Sequence, residues 1–359
     1  MSQAALPTHR ENNFDAVRFI AAAAVIYGHA HPLTRTPDAA FWGNSAQSFA
    51  VKVFFVISGF LITASWLADP NPFRYFSKRA LRIFPALAVV VALSALVLGP
   101  LVTTLPLSSY FANARVEAYF GNIALRPSYD LPGVFDRLPY PGAVNGSLWS
   151  LPAEFAMYLV LPLVCALGAK LRFRWLPALA TVGLCAWSLY WNRAGIPHRT
   201  VVIYGTSLAS ALDAGPYFLL GASYQIYGLR RFLSPVVALG LLGIGVFLQP
   251  STALAMELGL YLLAPYAILS FALSPAPVFS RAGRWGDFSY GLYLYGFPLQ
   301  QTFNFLWPHP MTSLQNAAVA GLAALLFAVL SWHLVEKRML AMKPSRRRTV
   351  PVVAQGGPG

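Results

Sequence analysis

Charge is scarce in this chain: Asp, Glu, Lys and Arg make up 11% of its 359 residues, against about a quarter in soluble domains. With 57% apolar residues, a soluble globule could not cover its hydrophobic surface, so the composition excludes an ordinary water-soluble enzyme and points to lipid as solvent. Cysteine is scarcer still. Cys165 and Cys185 are the two present; both lie inside apolar stretches without metal-ligand spacing, which leaves no disulfide framework, no zinc site and packing as their role. The first thirteen residues lack the apolar core of a signal peptide, and the first apolar stretch contains Asp15 and Arg18, so it reads as a retained helix. No repeat of about 20–50 residues recurs, which speaks against a solenoid, and no inverted symmetry suggests a transporter core.

Long apolar runs are abundant. Each is about 17–25 residues, enough to cross a hydrocarbon core of roughly 30 Å as a helix. They predict an all-α fold: a polytopic membrane helix bundle of about ten transmembrane helices, near 14–31, 47–67, 82–104, 147–168, 174–191, 210–227, 233–249, 252–273, 286–306 and 313–335. The excess of 26 Lys+Arg over 12 Asp+Glu is then first a topology signal, and no nucleic-acid partner is expected. With both termini cytoplasmic, the inner connections hold Arg74, Lys78, Arg79 and Arg82, then Lys170, Arg172 and Arg174, then Arg230 and Arg231, then Arg281 and Arg284, and finally Lys337 to Arg348. Arg193 and Arg199 are exceptions on the outer side. The expected organisation is a cytoplasmic segment at 1–13, a transmembrane domain at 14–340, and a basic tail at 341–359, disordered and lying against anionic lipid headgroups.

Charged residues inside a span cost roughly 2.5–3.5 kcal/mol and ask for a partner or a task. In FDAVRFIAAAAVIYGHAHP, the separations between Asp15, Arg18 and His29 are close to whole helical turns, so one stripe carries all three. Arg18 falls near the cytoplasmic face, with His29 about 16 Å outward. The bland reading is an interfacial Asp15–Arg18 pair with His29 at the headgroups. Arg79 and Arg82 share a face at the start of the third span; they could clamp phosphates or simply flank the membrane. In NGSLWSLPAEFAMYLVLP, Glu154 is expected about two turns into the fourth span from outside, with Tyr158 one turn on. That places Glu154 at the depth of His29, where it could orient the imidazole or instead bind a loop backbone. Asp213, Glu257, Asp287 and Glu336, near span ends, read as structural, and Ser58-Gly59 as small-residue helix packing.

Together these segments resemble the acyltransferase-3 family of integral membrane O-acyltransferases. The family's Arg-x10-His pattern is read as Arg18 to His29, followed in order by FFVISGFLI at 54–62, RALRIFP at 79–85, NGSLWSLPAEF at 145–155 and FSYGLYLYGFP at 288–298. The resemblance covers about residues 12–340. Lys52 stands where many relatives have an acidic or small residue, Tyr295-Gly296 where many have Trp-His, and Arg338 where the family's terminal Glu-x-Pro has proline. The chain resembles the stand-alone form, without the esterase-like domain some relatives carry.

The resemblance implies transfer of an acyl group, usually acetyl from acetyl-CoA, to a hydroxyl of a sugar or lipid-linked glycan, in a bacterial inner membrane and without a metal. Arg79, Arg82 and Arg18 are the expected binders of acyl-CoA. His29 is the expected general base or covalent acyl carrier, with Glu154 holding its tautomer and Asp15 fixing Arg18. Trp149, Ser150 and Tyr158 are candidates for the acceptor and oxyanion contacts. Two rival classes use the same residues: a small-molecule transporter or lipid flippase lined by the polar stripe, and an assembly subunit in which the charges only fix packing.

Overall fold

A computed structural model describes residues 12–38, 40–196, 201–247, 250–274, 279 and 282–344. The segment at 1–11, nearly all of the basic tail, and the topology markers Arg199 and Arg281 lie outside the described residues. Among the described residues, ten principal helices carry the fold: α1 (Phe14–Thr34), α2 (Ala46–Ala68), α3 (Pro72–Val102), α4 (Ser150–Lys170), α5 (Leu176–Arg193), α6 (Leu208–Ile226), α7 (Pro235–Phe247), α8 (Ala253–Ala272), α9 (Ser289–Leu306) and α10 (Ser313–Ala341). Five stretches among the described residues are long and apolar enough to cross a membrane: α2, α3, α8, α10 and the 146–170 segment that contains α4. Helices α1, α6 and α9 are packed against other helices, and there polar side chains find protein partners that lipid would not offer.

Local chemistry fixes the helix ends. Asn71 caps α3 by accepting from Arg74 N at 3.0 Å, with Pro72 at the first helical position, and Ser45 caps α2 through Ser48 N. Thr312 and Gln315 form a capping box at the start of α10. α3 begins about ten residues earlier than the apolar run suggested, because its first turns, with Arg74, Lys78, Arg79 and Arg82, are helical but polar. It contains a π-helical stretch at Ser94–Leu98. Pro100 has no N–H to give the Ala95 carbonyl, and Tyr110 Oη donates to that carbonyl instead at 2.8 Å.

The bundle's seams are set by small residues. A Cβ on Gly59 would stand 2.8 Å from the Phe218 carbonyl carbon, and one on Gly221 would stand 2.9 Å from that of Val56. The backbones of α2 and α6 therefore touch through reciprocal glycines. Towards the N-terminal end of α2 in the same pair, Lys52 is 2% exposed; its Nζ donates to Asp213 Oδ2 at 2.5 Å, Asn44 Oδ1 at 2.7 Å and Ser48 Oγ at 3.1 Å. Helix α1 runs antiparallel to α2, with Gly28 against Gln47 and Phe14 stacked on Phe60, and parallel to α9, with Ile26 beside Gly296. An amide cluster ties α1, α9 and α10 together. Gln300 Nε2 donates to Ile26 O at 2.7 Å and Asn316 Oδ1 at 2.9 Å, and Asn304 Nδ2 donates to Leu33 O at 3.0 Å.

The connection from α3 to α4 is ordered, with short helices at Leu107–Phe111 and Ala114–Phe120 and buried Tyr110, Tyr119, Val134 and Phe135. It then descends along α9. Gln301 Nε2 donates to the carbonyls of Tyr140 and Ala143 at 2.8 and 2.9 Å, and Asn145 Nδ2 to that of Leu294 at 3.0 Å. The 3₁₀ turn Gly146–Trp149 and the first residues of α4 consequently lie inside the protein. α4 therefore does not open at a surface of the bundle as its apolar run suggested.

Candidate active site

Helices α1, α2, α3, α4, α9 and α10 enclose a cavity of ≈ 1190 Å³. Its lip carries the exposed Lys343 and Arg284, and its walls carry Arg18, Lys78, Arg79 and Arg82. Asp287, just before α9, is the hub of the wall charges. Its Oδ2 accepts from Arg82 Nη2 at 2.6 Å and Arg18 Nη1 at 3.4 Å, and its Oδ1 accepts from Ser289 Oγ at 2.5 Å. Arg18 also meets Asp15 Oδ1 at 3.5 Å, so the expected Asp15–Arg18 pair is present but shared. Arg82 reaches Glu336 Oε2 at 3.4 Å, while Glu336 Oε1 accepts from Ser331 Oγ at 3.1 Å. Glu336 ends a second π-helical stretch, Trp332–Glu336, which turns Trp332 onto the cavity wall against Gly286. With φ +135°, Gly286 holds a backbone that only glycine adopts freely, and a Cβ there would overlap the indole.

At the inner end of the cavity lie Ser58, Glu154, Tyr158, Ser150 and Tyr293. Glu154 Oε1 accepts from Ser58 Oγ at 2.5 Å and Tyr158 Oη at 2.6 Å. The partners expected for Glu154 are thus corrected: among the described residues its hydrogen bonds go to Ser58 and Tyr158, and none goes to His29. The depth is corrected too. Ser58 lies midway along α2, whereas His29 is level with Gln47 at the start of α2, roughly 15 Å away along the helix. The cause is the buried start of α4, which carries Glu154 inward with it. Tyr293 Oη donates its single proton to Ser147 O, so the hydroxyl of Ser150, 2.6 Å away, must be the donor in its contact with Tyr293. Trp149 packs against the apolar core and is not among the residues lining the cavity.

His29 lies beyond the cavity, edge-on to Phe297 with ring centroids 5.2 Å apart. Its Nδ1 is buried without a hydrogen-bond partner among the described residues. Phe297 is one turn along α9 from Tyr293, which in turn meets Phe54 edge-on at 6.1 Å. The order along α9 is therefore cavity, Tyr293, Phe297, His29. Val51 marks the far limit of the cavity on α2, opposite Ala24 of α1, so His29 is about 7 Å past it.

The remaining cations are not alike. Arg79 has no carboxylate within ion-pair distance among the described residues, its Nε is buried without a partner, and its guanidinium lies 6.0 Å from the Tyr75 ring centroid. Arg18 and Arg82, placed beside it by sequence reasoning as phosphate binders, are largely neutralised by Asp15, Asp287 and Glu336. Asp287, Ser58 and Tyr293 escaped that reasoning as site residues. The sequence marks Asp287 only as an acid just ahead of FSYGLYLYGFP.

Among known proteins, residues 11–334 match the family model described as Acyltransferase domain. The chain is 29% identical over 336 residues to the O-acetyl transferase of Shigella phage Sf6, covering 92% of this chain and 97% of that one. It is 28% identical over 387 residues to Nodulation protein 10 of Rhizobium leguminosarum bv. viciae, covering 94% and 95% respectively. No solved structure matches it.

Proposed function

Because the chain belongs to the acyltransferase family matched over residues 11–334 and is thus a membrane acyltransferase, we propose that it moves an acetyl group from cytoplasmic acetyl-CoA to a sugar hydroxyl of a cell-surface or lipid-linked glycan. The reading places it in a bacterial inner membrane, with all ten helices embedded, both termini cytoplasmic and the cationic lip facing the cytoplasm. One observation carries it: a cavity runs from Arg79, which has no carboxylate partner among the described residues, to a wall beneath the His29 imidazole, whose buried Nδ1 has no hydrogen-bond partner among them.

In this reading Arg79 grips donor phosphate, helped by what field Arg18 and Arg82 retain, and the thin pantetheine arm runs up the cavity past Phe54. Tyr293 and Phe297 part to let the thioester reach His29. The imidazole then takes the acceptor's hydroxyl proton while the oxygen attacks the thioester carbon. The carbon–sulfur bond breaks and the thiolate leaves, recovering a proton. The covalent variant, in which the imidazole itself first carries the acetyl group, uses the same geometry. Glu154, fixed by Ser58 and Tyr158, sits on the path as a counter-charge to Arg79 and a hydrogen-bond acceptor for the arm.

The test is acetyl-CoA-dependent labelling of surface glycan or lipid-linked sugar in cells making equal amounts of folded wild type or His29→Ala. Label with wild type alone is expected. Equal label in both removes His29 from the chemistry, and label in neither removes the donor or the acceptor.

A further inference from the structure

The cavity's carboxylates are already committed. Asp15 and Asp287 hold Arg18, Asp287 and Glu336 hold Arg82, and Glu154 is bound by two hydroxyls. Arg79 and Lys343 have no ion-pair partner among the described residues. Lys78 reaches Asp69 only at 4.0 Å, and Arg74 already grips both oxygens of that carboxylate at 2.6 Å. These cations occupy two levels. Arg79 is half-buried in the wall, while Lys343 is exposed at the lip, where the last turn of α10 packs against α3. Loss of hydration first, and then the fields of Arg79, Arg82, Lys78 and Arg18, push the Lys343 ammonium down to about 8.

A single phosphate would be satisfied at one level. Two levels of free cation along one cavity suit a ligand with phosphate at two separated places. On the acyl-CoA reading given above, on which this inference rests, the donor has such a shape: a pyrophosphate next to the pantetheine arm and a separate phosphomonoester on the ribose. We propose that Lys343 and Lys78 form a subsite for the ribose phosphomonoester, distinct from the pyrophosphate contact at Arg79. The subsite makes the enzyme selective for nucleotide-bearing thioesters over the same acyl group on a phosphopantetheine carrier, which offers no second phosphate.

The test is equilibrium binding of CoA and 3′-dephospho-CoA to the full chain in phosphatidylcholine nanodiscs, for wild type, Lys343→Ala, Lys343→Arg and Lys78→Ala. Wild type is expected to prefer CoA by about tenfold or more, as befits a charge-assisted phosphate contact. Lys343→Ala should lose most of that preference by weakening CoA alone, Lys78→Ala should lose part of it, and Lys343→Arg should keep it. An undiminished preference in Lys343→Ala, or an equal loss for both ligands, overturns the subsite while leaving the donor reading intact. Failure of wild type to bind either ligand overturns the donor reading and the subsite with it. If Lys343→Ala changes only the binding of phosphatidylglycerol added to the discs, the cation belongs to the lipid surface and the subsite is refuted.

Discussion

Gly59→Ala tests the α2–α6 seam at its tightest point. The new methyl would overlap the Phe218 carbonyl oxygen and stand 2.8 Å from its carbon, where carbon contacts are comfortable only near 3.5–4.0 Å, so the helices must part by more than about 1 Å. The obstacle is backbone and cannot rotate away. Overpacking of this kind costs about 1–3 kcal/mol, and here it also shifts the neighbouring Ser58, whose hydroxyl holds Glu154 at 2.5 Å. The expected result is a lower thermal midpoint in detergent together with reduced acyl transfer. Gly221→Ala, facing Val56 from the other helix, should behave alike, and the double variant should cost less than the sum because the first methyl has already opened the seam. Gly240→Ala is the control: nothing lies within 4 Å of its Cβ, so it should match wild type or exceed it. A Gly59→Ala protein as stable and active as wild type would refute the seam as described.

Further outcomes follow from the same geometry. Glu154→Gln keeps an oxygen for Ser58 and Tyr158 but removes the charge, so thermal stability should hold while acyl transfer falls; unchanged turnover would exclude the charge from the path. Asn316→Leu strips the amide cluster that fixes α1. At roughly 0.6 kcal/mol per bond in lipid, it should cost about 1–2 kcal/mol, read as faster denaturation in detergent. Above about pH 7, where the ribose phosphomonoester is already doubly ionised, CoA affinity should fall as pH rises through 8 towards 10. Lys343 is held near 8 when empty, by partial dehydration and the neighbouring cations, and regains its ordinary range once phosphate is bound. Titration of CoA binding should show that fall in wild type and a flat profile in Lys343→Arg.

The helices were readable because apolar runs are properties of a segment alone: each of the ten runs overlaps one of α1 to α10, although five stretches among the described residues have the length and hydropathy to cross a membrane and α3 starts about ten residues before its run. The π-helical stretch in α3 was invisible although its cause, Pro100, is in plain view, because its completion needs Tyr110 from the following segment. The depth of Glu154 was misjudged for a similar reason. Counting turns inward assumes that a helix starts at the membrane surface, and only the Asn145–Leu294 bond reveals that α4 starts inside. Asp287 looked like a span-end acid because its partners, Arg82 and Arg18, are 205 and 269 residues away. Spacing on one helix exposes an ion pair such as Asp15–Arg18; it says nothing of a pair made by folding.

The Lys52–Asp213 bond has a consequence for how the protein is made. The two residues are 161 positions apart, so at ribosomal speeds of about 5–20 residues per second, Lys52 waits roughly 10–30 s for its carboxylate to be synthesised. During that interval α2 carries an ammonium with only Asn44 and Ser48 to solvate it, in a helix whose glycine face has nothing to close upon. A nascent chain stalled before Asp213 should therefore leave α2 held at the insertion machinery or exposed to membrane proteases, and release of α2 into lipid should coincide with the arrival of α6.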